Sequence, residues 1–270
     1  MLSDKVRQYF QEFMQQPAVV RLQERYPKPF QFLAHRFNTG SFTGLPLTLL
    51  VLVFLFNSML LSQLTEEVIE SEGIVRLDKK LTSLLFGVRS GWLSQAFFYL
   101  TQLGTRAAVF IVGAIVSVVF LYRKQYVTIV AFWLVMAGVG LSVRYGKTFI
   151  SRPRPVDVAY YQEHNFSFPS GHATTAIALF GILAYFLCRR YRQPGQRRLI
   201  IASAVVLIGA VGFSRIYLGV HYLTDVLAGF MLGGLWLLLG ISLTEMMLYR
   251  SKRVAKKHAG NPEGEAAGNA

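Results

Sequence analysis

The sequence predicts an all-α integral membrane protein built as a bundle of six membrane-spanning helices. Of its 270 residues, 53% are hydrophobic and 14% are aromatic, which is more apolar than is usual for a soluble domain of this length. The apolar residues also form runs long enough to cross a hydrocarbon core of roughly 30 Å. Six runs are predicted to span the membrane: residues 46–64, 107–122, 126–143, 173–187, 199–213 and 223–243.

The chain divides into three predicted segments. Residues 1–44 are basic and mixed, with short amphipathic stretches at 6–10 and 30–34. An interfacial helix and a loosely ordered cytoplasmic arm fit this composition equally well. Residues 45–248 form the predicted six-span membrane domain, in which the moderately apolar stretch 82–103 is interpreted as a surface or re-entrant helix. Residues 249–270 are predicted to be a basic, disordered tail.

The positive charge is attributed to the membrane rather than to nucleic acid. Lys and Arg number 28 against 14 Asp and Glu, and the basic residues fall beside the apolar runs. Eighteen of the 28 lie before residue 46, at 123–124, at 189–198 or after 248. The positive-inside rule then predicts that both termini are cytoplasmic, and that the loops before the fourth and sixth spans face the periplasm or the cell exterior.

Two further features concern the compartment. Cys188 is the only cysteine, so no intramolecular disulfide is possible and the redox compartment is not indicated. The first sixteen residues contain no apolar stretch, so no secretory signal peptide is expected.

The first polar cluster lies in 147–155, Lys-Thr-Phe-Ile-Ser-Arg-Pro-Arg-Pro, which gathers Lys147, Arg152 and Arg154. Such cations suit a phosphate, since Arg offers a bidentate fork and Lys a point charge. Taken alone, a basic loop beside lipid head groups explains the cluster equally well.

The second cluster is Pro169-Ser170-Gly171-His172, directly before an apolar helix. Ser170 is a suitable N-cap, and Gly171 allows close approach of the backbone to a ligand. The N–H groups at the helix start favour an anion, and His172 could donate a proton to a leaving oxygen. An ordinary helix cap followed by an interfacial histidine is the competing interpretation.

The third cluster runs from Ser214 to Asp225. His221 and Asp225 are four residues apart, which predicts that they lie on one face of a helix, with Arg215 near the start of the same segment. The carboxylate could then fix the tautomer of the imidazole and leave its other nitrogen available to attack. A structural His–Asp pair is the alternative. A metal site is disfavoured, because neither an H-E-x-x-H pattern nor a paired acidic ligand set accompanies these residues.

Together the three clusters resemble the type 2 phosphatidic acid phosphatase family, whose marks are K-x6-R-P, then P-S-G-H, then S-R-x5-H-x3-D. The motifs span residues 147–225, and the six-span layout extends the likeness to most of the chain. All three occur here in order: Lys147…Arg154-Pro155, Pro169-Ser170-Gly171-His172 and Ser214-Arg215…His221…Asp225.

The resemblance implies a role for each of these residues. His221 would attack phosphorus and form a phosphohistidine, Asp225 would orient His221, and His172 would protonate the leaving group and then activate water. The family works without a metal or other cofactor. Five residues would hold the phosphate oxygens: Lys147, Arg154, Ser170, Gly171 and Arg215.

The remaining basic and histidine residues are assigned by spacing. Arg152-Pro153 also reads as R-P but two residues too early, so Arg154 takes the family role and Arg152 is a possible accessory. His35, His164 and His258 match no motif and are interpreted as surface or interfacial residues.

The function predicted from this reasoning is metal-independent hydrolysis of a lipid phosphomonoester or pyrophosphate. The reaction would take place on the periplasmic or extracellular side of the membrane that the chain spans. In a bacterial host, undecaprenyl pyrophosphate, phosphatidylglycerol phosphate or phosphatidate would suit the family. A lipid phosphotransferase using the same site is one alternative, and a non-catalytic membrane scaffold or transporter is another. Vanadium-dependent oxidation, which related families carry out in a similar pocket, is disfavoured by the six spans. The sequence indicates neither the particular lipid nor the oligomeric state.

Overall fold

The computed structural model describes residues 8–9, 12–37 and 42–259, and these residues contain helices but no β-strand. A short 3-10 helix, Gln102–Gly104, comes shortly before the helix that begins at Arg106. The helices are α1 (Pro17–Arg25), α2 (Pro27–Arg36), α3 (Leu45–Glu70), α4 (Glu72–Gly87), α5 (Gly91–Thr101), α6 (Arg106–Tyr122), α7 (Tyr126–Ile150), α8 (Gly171–Arg190), α9 (Pro194–Tyr217) and α10 (Leu223–Ala259).

Five of these helices are long and apolar enough to cross a membrane: α3, α7, α8, α9 and α10. The segments Gly91–Gly104 and Arg106–Tyr122 form a bent pair with an angle of 50° between them, and counting the pair as one span brings the total to six within the described residues. Every predicted span lies inside one of these helices. The all-α membrane fold is therefore confirmed.

The boundaries differ from the prediction where polar residues occur inside or beside apolar runs. The predicted helix over 82–103 is wrong as a single element, because the chain breaks between α4 and α5. Ser71 caps α4, and its hydroxyl accepts from the Ile74 N–H at 3.4 Å. At the other end of the chain, α10 does not stop at residue 243. It continues to Ala259, through residues 249–259 of the segment predicted to be disordered.

Internal contacts divide the chain into two units: residues 1–55 with 242–270, and residues 56–241. In the first unit, α1 buries Val19, and the Arg36 guanidinium donates to the Thr43 carbonyl at 3.3 Å. The predicted amphipathic stretch 30–34 lies within α2. Most of the other stretch, 6–10, lies outside the described residues. All the side chains of the candidate site lie in the second unit.

The core of the second unit positions the polar loops at the ends of its helices. Gly229 of α10 brings that helix close to the start of α8, because a Cβ at this position would lie 2.7 Å from the Ser170 carbonyl oxygen. Small residues allow such close approach between membrane helices. The buried cluster that joins α6, α7 and α8 contains Val116, Phe132, Val135, Met136, Val139, Ala178, Leu179, Ile182 and Phe186.

Candidate active site

The three motif clusters meet around one cavity of about 480 Å³. Lys147 in the last turn of α7, Gly171 and His172 in the first turn of α8, and His221 before α10 all line it. The start of α6 and the loop between α7 and α8 supply further lining. Residues that are far apart in the sequence therefore face one space large enough for a phosphate and part of its leaving group.

His221 and Asp225 form the expected pair, but not on one face of a helix. The helix α10 begins at Leu223, so His221 lies in the preceding turn. Asp225 is in the first turn of α10, where its Oδ2 accepts from the Tyr222 N–H at 2.9 Å. The same oxygen lies 3.4 Å from His221 Nδ1. The prediction of a shared helical face is wrong because Asp225 folds back toward the turn before its own helix.

The second nitrogen of the His221 ring faces a cation. Arg154 Nη1 lies 3.1 Å from His221 Nε2, and it also donates to the Val220 carbonyl at 2.5 Å. A guanidinium can only donate, so Nε2 carries the lone pair in this contact and Nδ1 carries the hydrogen that faces Asp225. This is the tautomer that a nucleophilic imidazole requires.

The protonation of His221 is set by burial and by its basic neighbours. The ring is 1% exposed, and this burial, followed by the charges of Arg215, Arg154 and Lys147, lowers the pKa of His221 well below its usual value. Glu163 acts in the opposite direction but does not cancel the shift. The imidazole is therefore neutral at neutral pH, with its lone pair available.

The P-S-G-H segment turns the chain into α8. Ser170 occupies the N-cap position, and its N–H donates to the Asp225 carbonyl at 2.9 Å, which ties the start of α8 to the start of α10. Its hydroxyl forms no cap hydrogen bond. Of the buried side-chain polar atoms in the described part of the chain, Ser170 Oγ and Arg215 Nε have no hydrogen-bond partner. An unsatisfied buried polar atom is costly unless a ligand completes it.

Glu163 occupies the space between two of the predicted phosphate-binding cations. Its carboxylate forms ion pairs with Arg215 and with Arg154, the latter at 2.6 Å. Burial alone would raise the pKa of Glu163, but Arg215 and Arg154 outweigh it and lower that pKa to about 2. Sequence analysis missed this residue, because it lies in an irregular loop and matches no motif.

The guanidinium of Arg215 is fully buried near the end of α9. It donates to the Thr101 hydroxyl at 3.2 Å and to the Tyr161 hydroxyl, and it pairs with Glu163. Lys147 is half-buried, and its ammonium donates to the Phe166 carbonyl at 2.5 Å. Both cations thus contact the loop between α7 and α8 that closes one side of the cavity.

Arg152 has a different environment from Arg154. It is buried and bridges two carboxylates, with Nη1 2.6 Å from Asp225 Oδ1 and Nη2 2.8 Å from Asp78 Oδ2. Asp78 comes from α4 and was not predicted from the sequence. Arg152 thus contacts the carboxylate that pairs with His221, whereas Arg154 contacts His221 itself.

The other predicted features are placed as follows. His164 is exposed in the loop between α7 and α8, while the side chains of His35 and His258 lie outside what the structure describes. Among the described residues, no group of three or more His, Cys, Asp or Glu side chains could hold a metal ion.

The chain is similar in sequence to a known protein family and to several known proteins. Residues 126–248 match the model of the PAP2 superfamily. The chain is 33% identical to phosphatidylglycerophosphatase B of Bacillus subtilis (strain 168), over 61% of this chain and 82% of that protein. It is 29% identical to lipid A 4'-phosphatase of Porphyromonas gingivalis, over 64% of this chain and 66% of that protein.

A solved structure shows the same fold. The crystal structure described as the first transmembrane PAP2 type phosphatidylglycerolphosphate phosphatase, from Bacillus subtilis, superposes with a TM-score of 0.64 at 31% identity. The match covers 71% of this chain and 93% of that one. The helical fold and these relatives define a multi-pass membrane phosphatase that acts on lipid phosphates. The chain belongs to the PAP2 superfamily.

Proposed function

We propose that the protein hydrolyses a lipid phosphomonoester in two steps through a phosphohistidine at His221. The observation that carries the proposal is the placement of the two ring nitrogens of His221. Nδ1 faces the Asp225 carboxylate at 3.4 Å, and Nε2 faces the Arg154 guanidinium at 3.1 Å. The Arg154 guanidinium would bind the phosphate, so the Nε2 lone pair that faces Arg154 also faces the position where phosphorus would lie.

In the first step, Nε2 of His221 attacks phosphorus and the ester P–O bond breaks, with its electron pair passing to the leaving oxygen. His172 lines the same cavity and supplies a proton to that oxygen. Asp225 stabilises the positive charge that develops on the imidazole as the P–N bond forms.

In the second step, His172 takes a proton from water, and the resulting hydroxide attacks the phosphohistidine. The P–N bond breaks, its electron pair returns to Nε2, and inorganic phosphate leaves. No acceptor other than water is needed. A lipid phosphotransferase would use the same site with a lipid hydroxyl in place of water.

The phosphate oxygens are assigned to Lys147, Arg154 and Arg215, together with the Ser170 hydroxyl and the backbone at Gly171. The unpartnered Ser170 Oγ and Arg215 Nε support this assignment, because a phosphate oxygen could accept from both groups. Phosphoryl transfer depends mainly on positioning and charge stabilisation, which these cations can supply. The proposed reaction therefore needs no metal.

Phosphatidylglycerophosphate is the first substrate to test. Both the protein that is 33% identical and the solved structure that is 31% identical carry names that refer to its hydrolysis. Lipid A phosphates, phosphatidate and undecaprenyl pyrophosphate follow, since the same cations would bind their phosphate groups.

The domain and the orientation in the membrane are also part of the proposal. Residues 45–248 would form the phosphatase domain, and the match to the family model ends at residue 248. The excess of Lys and Arg in the terminal segments and in the loops at 123–124 and 189–198 favours cytoplasmic termini. The active site would then face the outer side of the membrane and receive its lipid from the outer leaflet.

Release of inorganic phosphate by the purified protein in detergent and EDTA tests the function. We expect the wild-type protein to release phosphate from at least one lipid of the panel without an added acceptor. His221→Ala should reduce the rate by roughly 10³-fold or more. His164→Ala is the matched control, since this exposed histidine lies in the same unit and should keep full activity. No release from any lipid by folded wild-type protein would overturn the proposal, and release only with an added lipid alcohol would indicate the transferase.

A further inference from the structure

Asp225, on the side away from His221, belongs to a buried network of ion pairs that extends to α4. Asp225 Oδ1 accepts from Arg152 at 2.6 Å, and the other terminal nitrogen of Arg152 donates to Asp78 Oδ2 at 2.8 Å. Asp78 and Asp225 are 2% and 0% exposed, and Arg152 is 8% exposed. Charged groups this deeply buried destabilise a fold unless each has a partner, and here each carboxylate pairs with Arg152.

Asp78 also holds the first turn of α10. Its Oδ1 accepts from the Thr224 N–H at 3.2 Å, and its Oδ2 accepts from the Thr224 hydroxyl. That hydroxyl in turn accepts from Arg152 Nη1 at 2.8 Å. One carboxylate from α4 therefore fixes both the guanidinium and the backbone of the residue next to Asp225.

The network contains more carboxylates than guanidinium groups. Two carboxylates flank the one guanidinium of Arg152, so carboxylates outnumber cations on the Asp225 side of the His221 ring, whereas Arg154 lies on the other side. The positive charge that develops on His221 when Nε2 bonds to phosphorus would be stabilised by the carboxylates on this side of the ring.

We propose that Asp78 and Arg152 are positioning residues that act through Asp225. Arg152 occupies Oδ1 and so directs Oδ2 toward the His221 ring. Asp78 holds the Arg152 fork and offsets its charge, so that Asp225 keeps its negative charge for the imidazole. Without Asp78, the guanidinium and Asp225 form a neutral pair, and the stabilisation of the charged imidazole is lost. This inference rests on the proposed phosphatase mechanism.

The test is Asp78→Asn, which keeps the shape of the side chain and removes its charge. We expect kcat for the preferred lipid phosphate to fall about 10- to 100-fold, by analogy with the loss seen when a group that orients a metal-binding side chain is removed. KM should stay within about twofold, because Lys147, Arg154 and Arg215 would hold the phosphate. Among the described residues, these three cations have hydrogen-bond partners other than Asp78. A residue with a purely structural role would instead lower the amount of folded enzyme without changing kcat per folded molecule.

Arg152→Lys is the second variant, because it keeps the charge but loses the fork that reaches both carboxylates. It should show the same loss of kcat at constant KM. If Asp78→Asn does not fold, this variant decides the outcome. Asp157→Asn is the matched control, since Asp157 is exposed in the loop between α7 and α8.

The outcomes separate this inference from the proposed function. A kcat within twofold of wild type in the folded variant would overturn the inference while leaving the phosphatase intact. A raised KM at unchanged kcat would also overturn it, because it would place Asp78 in substrate binding. If wild type itself releases no phosphate and His221→Ala makes no difference, the proposed function has failed, and the inference fails with it.

Discussion

At the scale of single residues, the cations of the site are already paired with a carboxylate from the protein itself. The carboxylate of Glu163 pairs with Arg154 and Arg215, two of the groups assigned to the substrate phosphate. A dianionic phosphate and this carboxylate would compete for donors on the same two guanidinium groups, so we expect the carboxylate to move aside when substrate binds. The fraction of molecules in which it has moved sets the apparent affinity.

Glu163→Gln should therefore bind phosphate groups more tightly. Loss of the carboxylate charge leaves Arg154 and Arg215 without an internal competitor, and we expect KM to fall about 3- to 10-fold with kcat within twofold of wild type. Vanadate, which mimics five-coordinate phosphorus, should inhibit at correspondingly lower concentration. Glu72→Gln, at an exposed position in α4, is the control. An increase in KM would show instead that Glu163 aligns the two guanidinium groups for the substrate.

The motif residues could be identified from the sequence because their chemistry is local. Pro169-Ser170-Gly171-His172 and the His221–Asp225 spacing indicate their partners within a few positions. Asp78 and Glu163 could not be found in this way. Asp78 is 146 residues from Thr224, and only tertiary packing brings them together. Glu163 lies in a loop whose path depends on the cations it contacts.

At the scale of elements, the site depends on how closely α8 and α10 approach. The Ser170 N–H donates to the Asp225 carbonyl at 2.9 Å, and Gly229 makes room for this contact one turn further along α10. The apolar runs predicted the positions of α8 and α10, since hydrophobic length is a property of the sequence alone, but not the extension of α10 beyond residue 243. The break between α4 and α5 and the turn before α10 were not predicted, because they are fixed by tertiary hydrogen bonds.

Gly229→Ala should disrupt this approach. The added Cβ would lie 2.7 Å from the Ser170 carbonyl oxygen and 3.0 Å from the Ala173 Cβ, and backbone atoms cannot move aside cheaply. We expect a loss of about 1–3 kcal/mol in stability, seen as a lower Tm in detergent, together with reduced kcat. Gly209→Ala in α9 is the control, since its Cβ would meet nothing within 4 Å. An unchanged Tm for Gly229→Ala would contradict the importance of this contact.

At the scale of the whole molecule, the helices and the charge distribution predict one orientation in the membrane. Lys and Arg concentrate in the terminal segments and in the loops at 123–124 and 189–198. Retention of such loops on the cytoplasmic side predicts that the candidate site opens to the outer surface.

A reporter fusion after Ala270 checks this orientation. A reporter active only in the cytoplasm should be active at this position, and one fused within 156–162, in the loop between α7 and α8, should be inactive. The reverse pattern would place the active site on the cytoplasmic side and would require a substrate from the inner leaflet.

The most direct test of the central claim is to trap the phosphate on His221. The wild-type protein is mixed briefly with lipid labelled in its phosphate group, denatured in alkali and separated from the lipid. We predict label bound to the protein that is stable in alkali and released by acid, as expected for a P–N bond, and absent from His221→Ala. Label that persists in His221→Ala, or phosphate release by an active wild-type enzyme with no bound label at any time, would contradict the phosphohistidine mechanism.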